Sequence, residues 1–73
     1  MYKVIVYTVR INNLNTGIRA MASLLDGKLV SETNLGFSKD LVFSFDSLDA
    51  LDLFTKFMGN LPDKQIYWEL ENV

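Results

Sequence analysis

The chain contains no cysteine and no histidine. The first absence excludes disulfide staples and thiolate metal sites. The second removes the side chain that most often serves as general base or as transition-metal ligand. Long apolar runs are missing too: the longest is a handful of residues, against the roughly 20 that a membrane-crossing helix requires. Proline occurs once, at Pro62, and the four glycines, at 17, 27, 36 and 59, are scattered rather than gathered into a phosphate-binding loop. With 73 residues and no staple, the fold has to be held by apolar burial.

The composition permits that. Hydrophobic residues make up 49% of the chain and include five Phe, three Tyr and one Trp, more apolar area than a disordered segment carries. The amino-terminal "MYKVIVYTVR" is interrupted at Thr8 and Arg10, and no small-residue cleavage site follows closely. The expectation is an intact cytoplasmic protein, residues 1–73 forming one α+β domain, with no membrane association. The net charge of −2 is unevenly spread. Residues 1–39 hold five basic and two acidic side chains, a net of +3, whereas residues 40–73 hold seven acidic and two basic, a net of −5. Such a gradient can orient a partner, or it is neutralised where the two ends meet on neighbouring strands.

Residues 2–11, "YKVIVYTVRI", read as a strand: Ile5, Tyr7, Val9 and Ile11 fall on one face, Val4 and Val6 on the other. A strand apolar on both sides belongs in the middle of a sheet. "NNLNTG" (12–17) reads as a connection. Asp26-Gly27 between apolar residues predicts a hairpin with strands near 18–25 and 28–34, because both residues tolerate positive φ. Ile18, Met21, Ala22, Leu25 and Leu29 also match helical spacing, with Gly27 as a C-cap, and that alternative stays open. After a "GFSKD" turn, 41–46 reads as a strand with Leu41, Phe43 and Phe45 to one side. A helix is expected over 47–58, stopped by Gly59-Asn60 and Pro62. A "PDK" turn then leads to "QIYWELE", where Ile66, Trp68 and Leu70 alternate with Tyr67, Glu69 and Glu71. The expected fold is α+β: an antiparallel sheet of four or five strands with one helix on one face, packed through Leu51, Phe54, Phe57 and Met58. The alternative is a ferredoxin-like βαββαβ domain in which 16–26 is helical.

Asp46, Asp49 and Asp52 raise the question of chemistry. On a wheel of about 100° per residue, Asp49 and Asp52 fall opposite the apolar arc, with Lys56 beside them. Asp46 is placed to cap the helix and Asp49 to meet the positive end of its dipole. Carboxylates so arranged do not converge on a cation, and nothing places one in an apolar pocket for acid–base work. No Ser–Lys motif supplies a nucleophile, so the expectation is a protein that is not an enzyme and uses no cofactor or metal. A pI near 4.8 opposes direct binding to nucleic acid. The reverse reading is an acidic DNA mimic whose helix face, Asp49 and Asp52, imitates phosphates. Tyr67, Glu69 and Glu71 form an aromatic–acidic stripe which, on an edge strand, can meet a partner.

In being short, free of Cys and His, and rich in Asn, the chain resembles small phage-encoded accessory proteins. More narrowly, "IRAMASLLDGKLV" followed by "FDSLDALDLFTKFMGNLP", within residues 18–62, resembles the element order of one type I-F anti-CRISPR family: strand, Gly-Lys turn, strand, then a helix opening at "FDS". The intervening "SETNLGFSKDLVFS" is longer here. The resemblance implies a phage-encoded inhibitor that binds a host defence or nucleic-acid-processing complex and acts by steric occlusion, with Tyr7 and Glu32 as the nearest equivalents of contact residues. The expected function is thus a non-catalytic protein-binding inhibitor or modulator, with Tyr7, Glu32, Tyr67, Glu69 and Glu71 facing the partner and a homodimer allowed. A ferredoxin-like ligand-sensing or oligomeric regulatory domain is the alternative from another class.

Overall fold

A computed structural model describes residues 1–63 and 65–71. The elements run β1 (Tyr2–Val9), α1 (Leu14–Leu24), β2 (Lys28–Leu35), β3 (Ser38–Phe45), α2 (Leu48–Gly59) and β4 (Tyr67–Glu71). The four strands form one sheet in the order β2-β3-β1-β4, every neighbouring pair antiparallel. This is the βαββαβ arrangement of a ferredoxin-like domain, with two helices where one was expected. β1 is central, as its two apolar faces require. Lys64, the last residue of the expected "PDK" turn, lies outside the described residues.

The helices pack on each other, α1 also against β2 and α2 against β3 and β4. Beneath them lie Val4 and Val6 of β1 and Leu41, Phe43 and Phe45 of β3, all buried. Ile18 and Ala22 come down from α1, and Leu51, Phe54 and Met58 from α2. Phe54 is wholly buried between Phe43 and Phe45, with ring centroids 5.5 and 5.0 Å away, and Phe57 packs at its side. Leu53, at the margin of the apolar arc, is exposed.

Residues 18–24 are therefore helix, not strand. The spacing of Ile18 and Ala22 decides it, because i and i+4 place both on the face that meets the core. Asp26-Gly27 ends that helix in a Schellman motif: Asp26 takes φ 59°, its N–H donates to the Ser23 carbonyl, and the Gly27 N–H donates to the Ala22 carbonyl at 2.7 Å. The hairpin signal and the helix stop share one requirement, a left-handed residue. Glycine is needed at 27 for a different reason. A Cβ there would stand 2.5 Å from Phe45 Cε1 and 2.9 Å from the Ala22 carbonyl oxygen.

The connection expected over 12–17 shrinks because its asparagines start the helix. Asn12 Oδ1 accepts from the Leu14 N–H at 2.8 Å. Asn15, buried, accepts the Thr8 hydroxyl at 2.8 Å and donates to the Val9 carbonyl at 3.0 Å, which leaves the buried polar pair satisfied. Asn12 also donates to Asp63 at 2.7 Å and so ties the β1–α1 connection to the α2–β4 connection. Between β2 and β3 the turn is two residues, Gly36 with φ +68° and then Phe37, so β3 begins at Ser38 rather than 41. At α2 the N-cap is Ser47, whose Oγ accepts from the Ala50 N–H, and not Asp46, which is exposed one residue earlier.

Two substitutions at the end of α1 are expected to act in opposite directions. Asp26→Gly removes a left-handed non-glycine residue and a carboxylate from the negative helix end, and raises stability by about 1 kcal/mol. Gly27→Ala forces Phe45 to move and lowers it by about 1–3 kcal/mol. Urea unfolding of both variants measures the difference; equal midpoints would refute the assignment of the left-handed position to Asp26.

Candidate recognition face

The face of the sheet opposite the helices carries no covering layer among the described residues. Its pattern follows from register. Across β2-β3-β1-β4, one transverse row reads Lys28, Ser44, Lys3, Glu71. The next reads Ser31, Val42, Ile5, Glu69, and the third Thr33, Asp40, Tyr7, Tyr67. A last partial row holds Leu35, Ser38 and Val9. Ile5, Tyr7, Val9 and Val42 are half-buried by their neighbours alone.

Tyr7 and Tyr67 stack, with centroids 5.0 Å apart and ring planes inclined by 28°. The Tyr7 hydroxyl donates to Glu69 Oε1 on the adjacent strand. That bond, with partial desolvation and the negative charges of Glu69 and Asp40, pushes the phenol up to about 12. Tyr7, Tyr67 and Glu69 thus form one preorganised unit. Beside it a groove of about 380 Å³ runs over Tyr7, Val9, Ser38 and Asp40 to Leu35 and Tyr67. At the same end of the sheet the Phe37 carbonyl accepts from the Arg10 N–H, and Phe37 and Ile11 are 93% and 92% exposed.

Of the candidate contact residues, the structure brings Tyr7, Tyr67, Glu69 and Glu71 together and separates Glu32 from them. The cause is a β-bulge between Leu29 and Ser31. Leu29 opposes Phe43 and points to the helix side; without the extra residue Glu32 would oppose Asp40 on the open face. With it, Glu32 opposes Leu41 on the helix side and pairs with Arg19 of α1 and with Lys39 at 2.9 Å. Lys39 first and Arg19 second hold its carboxyl below the usual carboxylate range. Asp49 and Asp52 lie exposed on α2, across the sheet from Glu69 and Glu71. Among the described residues no three acidic side chains converge as a metal site would require. Sequence reasoning missed Lys28, Asp40 and Val42, although the period-2 pattern of β3 opposite its Leu41, Phe43 and Phe45 face holds two of them. It also missed the exposed apolar tip, whose signal is the pair of large side chains flanking Gly36.

A second cleft, of about 440 Å³, lies between the end of α1 and the start of α2, over Leu24, Leu25, Asp26, Asp46, Ser47 and Leu53. Among the described residues no helix is long and apolar enough to cross a membrane. No protein-family model, curated protein or solved structure matches the chain.

The Tyr7–Glu69 bond has a measurable signature. Tyr7 ring resonances followed by NMR are expected to titrate at about 12, and in Glu69→Gln the midpoint falls toward 10.0. Because the folded-state value lies above the unfolded one, the bond's contribution to stability is full below about pH 10 and is lost between about 10 and 12. A Tyr7 midpoint unchanged by Glu69→Gln would refute the bond.

Proposed function

We infer that the protein is a non-catalytic protein-binding modulator that acts by occluding a surface of its target, and that the open sheet face is the surface it uses. The observation that carries this reading is the Tyr7–Tyr67–Glu69 unit. Tyr67 is 62% exposed, yet stacking on Tyr7, itself tied to Glu69, holds it in place before any partner arrives. An aromatic anchor fixed in advance loses little side-chain entropy on binding, the property that makes tyrosine a frequent hot spot. The groove beside it and the exposed apolar tip at Phe37 extend the same surface.

The acidic-mimic reading fits less well, since the carboxylates of α2 and those of β4 lie on opposite sides of the sheet and form no continuous track. The narrower reading, a phage inhibitor of a host defence complex, has less support than the general one. The strand–turn–strand element of that resemblance is here a helix, its cap and one strand, and Glu32 is engaged with Arg19 and Lys39.

The chain immobilised as bait in a lysate of its source cell is expected to retain a stoichiometric protein. Tyr67→Ala and Glu69→Lys should each lose it, whereas Asp49→Lys on the helix side should keep it. Retention by Tyr67→Ala with loss in Asp49→Lys would move the site to the helices, and absence of any stoichiometric protein would sink the reading.

A further inference from the structure

The open face is electrostatically self-complementary about one particular axis. Lys28 and Glu71 stand at opposite ends of the same transverse row, on the two edge strands, with Ser44 and Lys3 between them. A two-fold axis parallel to the strands, between two stacked faces and midway between β3 and β1, keeps each row in place and exchanges its ends. It sets Lys28 of one copy over Glu71 of the other, twice by symmetry. In the next row it sets Val42 over Ile5, again twice, so that four half-buried aliphatic side chains meet at the centre. In the third row it brings Asp40 over Tyr7 and Thr33 over Tyr67. The other face-to-face choice, an axis across the strands, reverses the rows instead. It lays each strand on its own copy, and because the open-face charges of each strand are of one sign (Lys28 on β2, Asp40 on β3, Lys3 on β1, Glu69 and Glu71 on β4), it brings no opposite charges together. The charge pattern therefore selects the first axis.

The size suits a weak, reversible contact. Three strands of eight residues and one of five, at about 3.3 Å per residue and about 4.8 Å between strands, give a face of roughly 450 Å² in projection. Two such faces bury roughly 900 Å², the range of a concentration-dependent rather than a permanent association. Apolar residues at the middle and charge pairs at the rim are the usual anatomy of such an interface.

We propose that the open sheet face takes a second copy of this chain, forming a two-fold sheet-on-sheet dimer with Val42 and Ile5 at its centre and Lys28–Glu71 pairs at its rims. The inference rests on the open face being the recognition surface and names one occupant of it. Aligned packing of twisted sheets turns the strands of the copies by about 30°, which leaves the row-to-row correspondence intact at the centre and shifts the rims by about 5 Å, a distance that the long Lys28 and Glu71 side chains can span.

Sedimentation analysis of the purified full chain over a range of concentrations tests it. A monomer–dimer equilibrium is expected, weakened about tenfold by Lys28→Glu or by Glu71→Lys, since symmetry counts each reversed pair twice. The two single variants mixed together should associate as well as the unaltered chain, because each mixed dimer then contains only opposite-charge pairs; the double variant should do so alone. Ile5→Glu should give a monomer whose circular dichroism is unchanged. A chain that is monomeric up to on the order of 1 mM overturns the proposal. So does a dimer indifferent to both reversals, which would point to edge-strand pairing, or one that mixing does not restore. These outcomes are independent of the lysate experiment: a monomer that still captures a protein through Tyr67 leaves the recognition face standing and removes only the second copy as its occupant.

Discussion

The packing of Phe54 between Phe43 and Phe45 is the contact on which the rest of the molecule depends. It joins the second helix to the sheet, and Phe45 in turn sets how closely the chain leaving α1 can pass, since Gly27 sits against its ring. Truncation of a buried phenylalanine typically costs about 3–5 kcal/mol. A domain of this length has a total stability of about 4–11 kcal/mol. One ring therefore carries a share of the order of the whole margin. A chain without cysteine has no disulfide to recover such a loss, and the three phenylalanines, with Gly27 against Phe45, link both βαβ halves of the fold.

Around that cluster the two faces of the sheet have opposite fates. Even-numbered positions of β1 go under the helices and odd-numbered ones to the open side, a division fixed by the period of two along a strand. In a chain this small only about 60% of the unfolded surface is buried on folding. Leaving Ile5, Tyr7, Val9 and Val42 without a covering layer forgoes stabilisation that polar residues there would not have offered and that a further helix would have. The sequence nevertheless keeps them apolar, and it rims them with Lys28 on one edge strand and Glu69 and Glu71 on the other, with Lys3 at the end of β1 beside Glu71. A face designed only for solvent would alternate charge with polarity, as the outer side of α2 does with Asp49, Asp52 and Lys56.

Much of this was legible in the residues, and the failures have physical causes. β1, β4 and α2 announce themselves because their patterns are long and their stop signals local. Alternation puts Tyr67, Glu69 and Glu71 on one stripe, Tyr7 enters as a contact residue only through the resemblance, and strand pairing sets the four on one face. The segment 18–25 misled because Asp-Gly reports only that the chain needs a positive φ; whether it closes a hairpin or ends a helix depends on what Ile18 and Ala22 can pack against, which lies on β3 and α2. Asp46 and Ser47 are both good caps, and the one whose side chain reached Ala50 prevailed. Glu32 was the least predictable residue: a single extra residue near Val30 moves every later position of β2 to the other face, and a bulge leaves no mark in an otherwise ordinary strand.

The same bulge has a second effect, on the edges. β2 is exposed along its whole length and carries Leu29, Val30 and Leu35 among its exposed residues, so a regular edge of eight residues would be a template for unwanted pairing. The bulge breaks the ladder in the middle and increases the local twist, and Glu32, held by Arg19 and Lys39, brings charge to that half of the strand. At the opposite edge β4 is only five residues long and presents two glutamates. Both edges are thus blunted, by irregularity on one side and by brevity and charge on the other. With lateral growth discouraged at both edges, approach perpendicular to the sheet, onto the face on which the stacked tyrosines stand, meets no such obstacle.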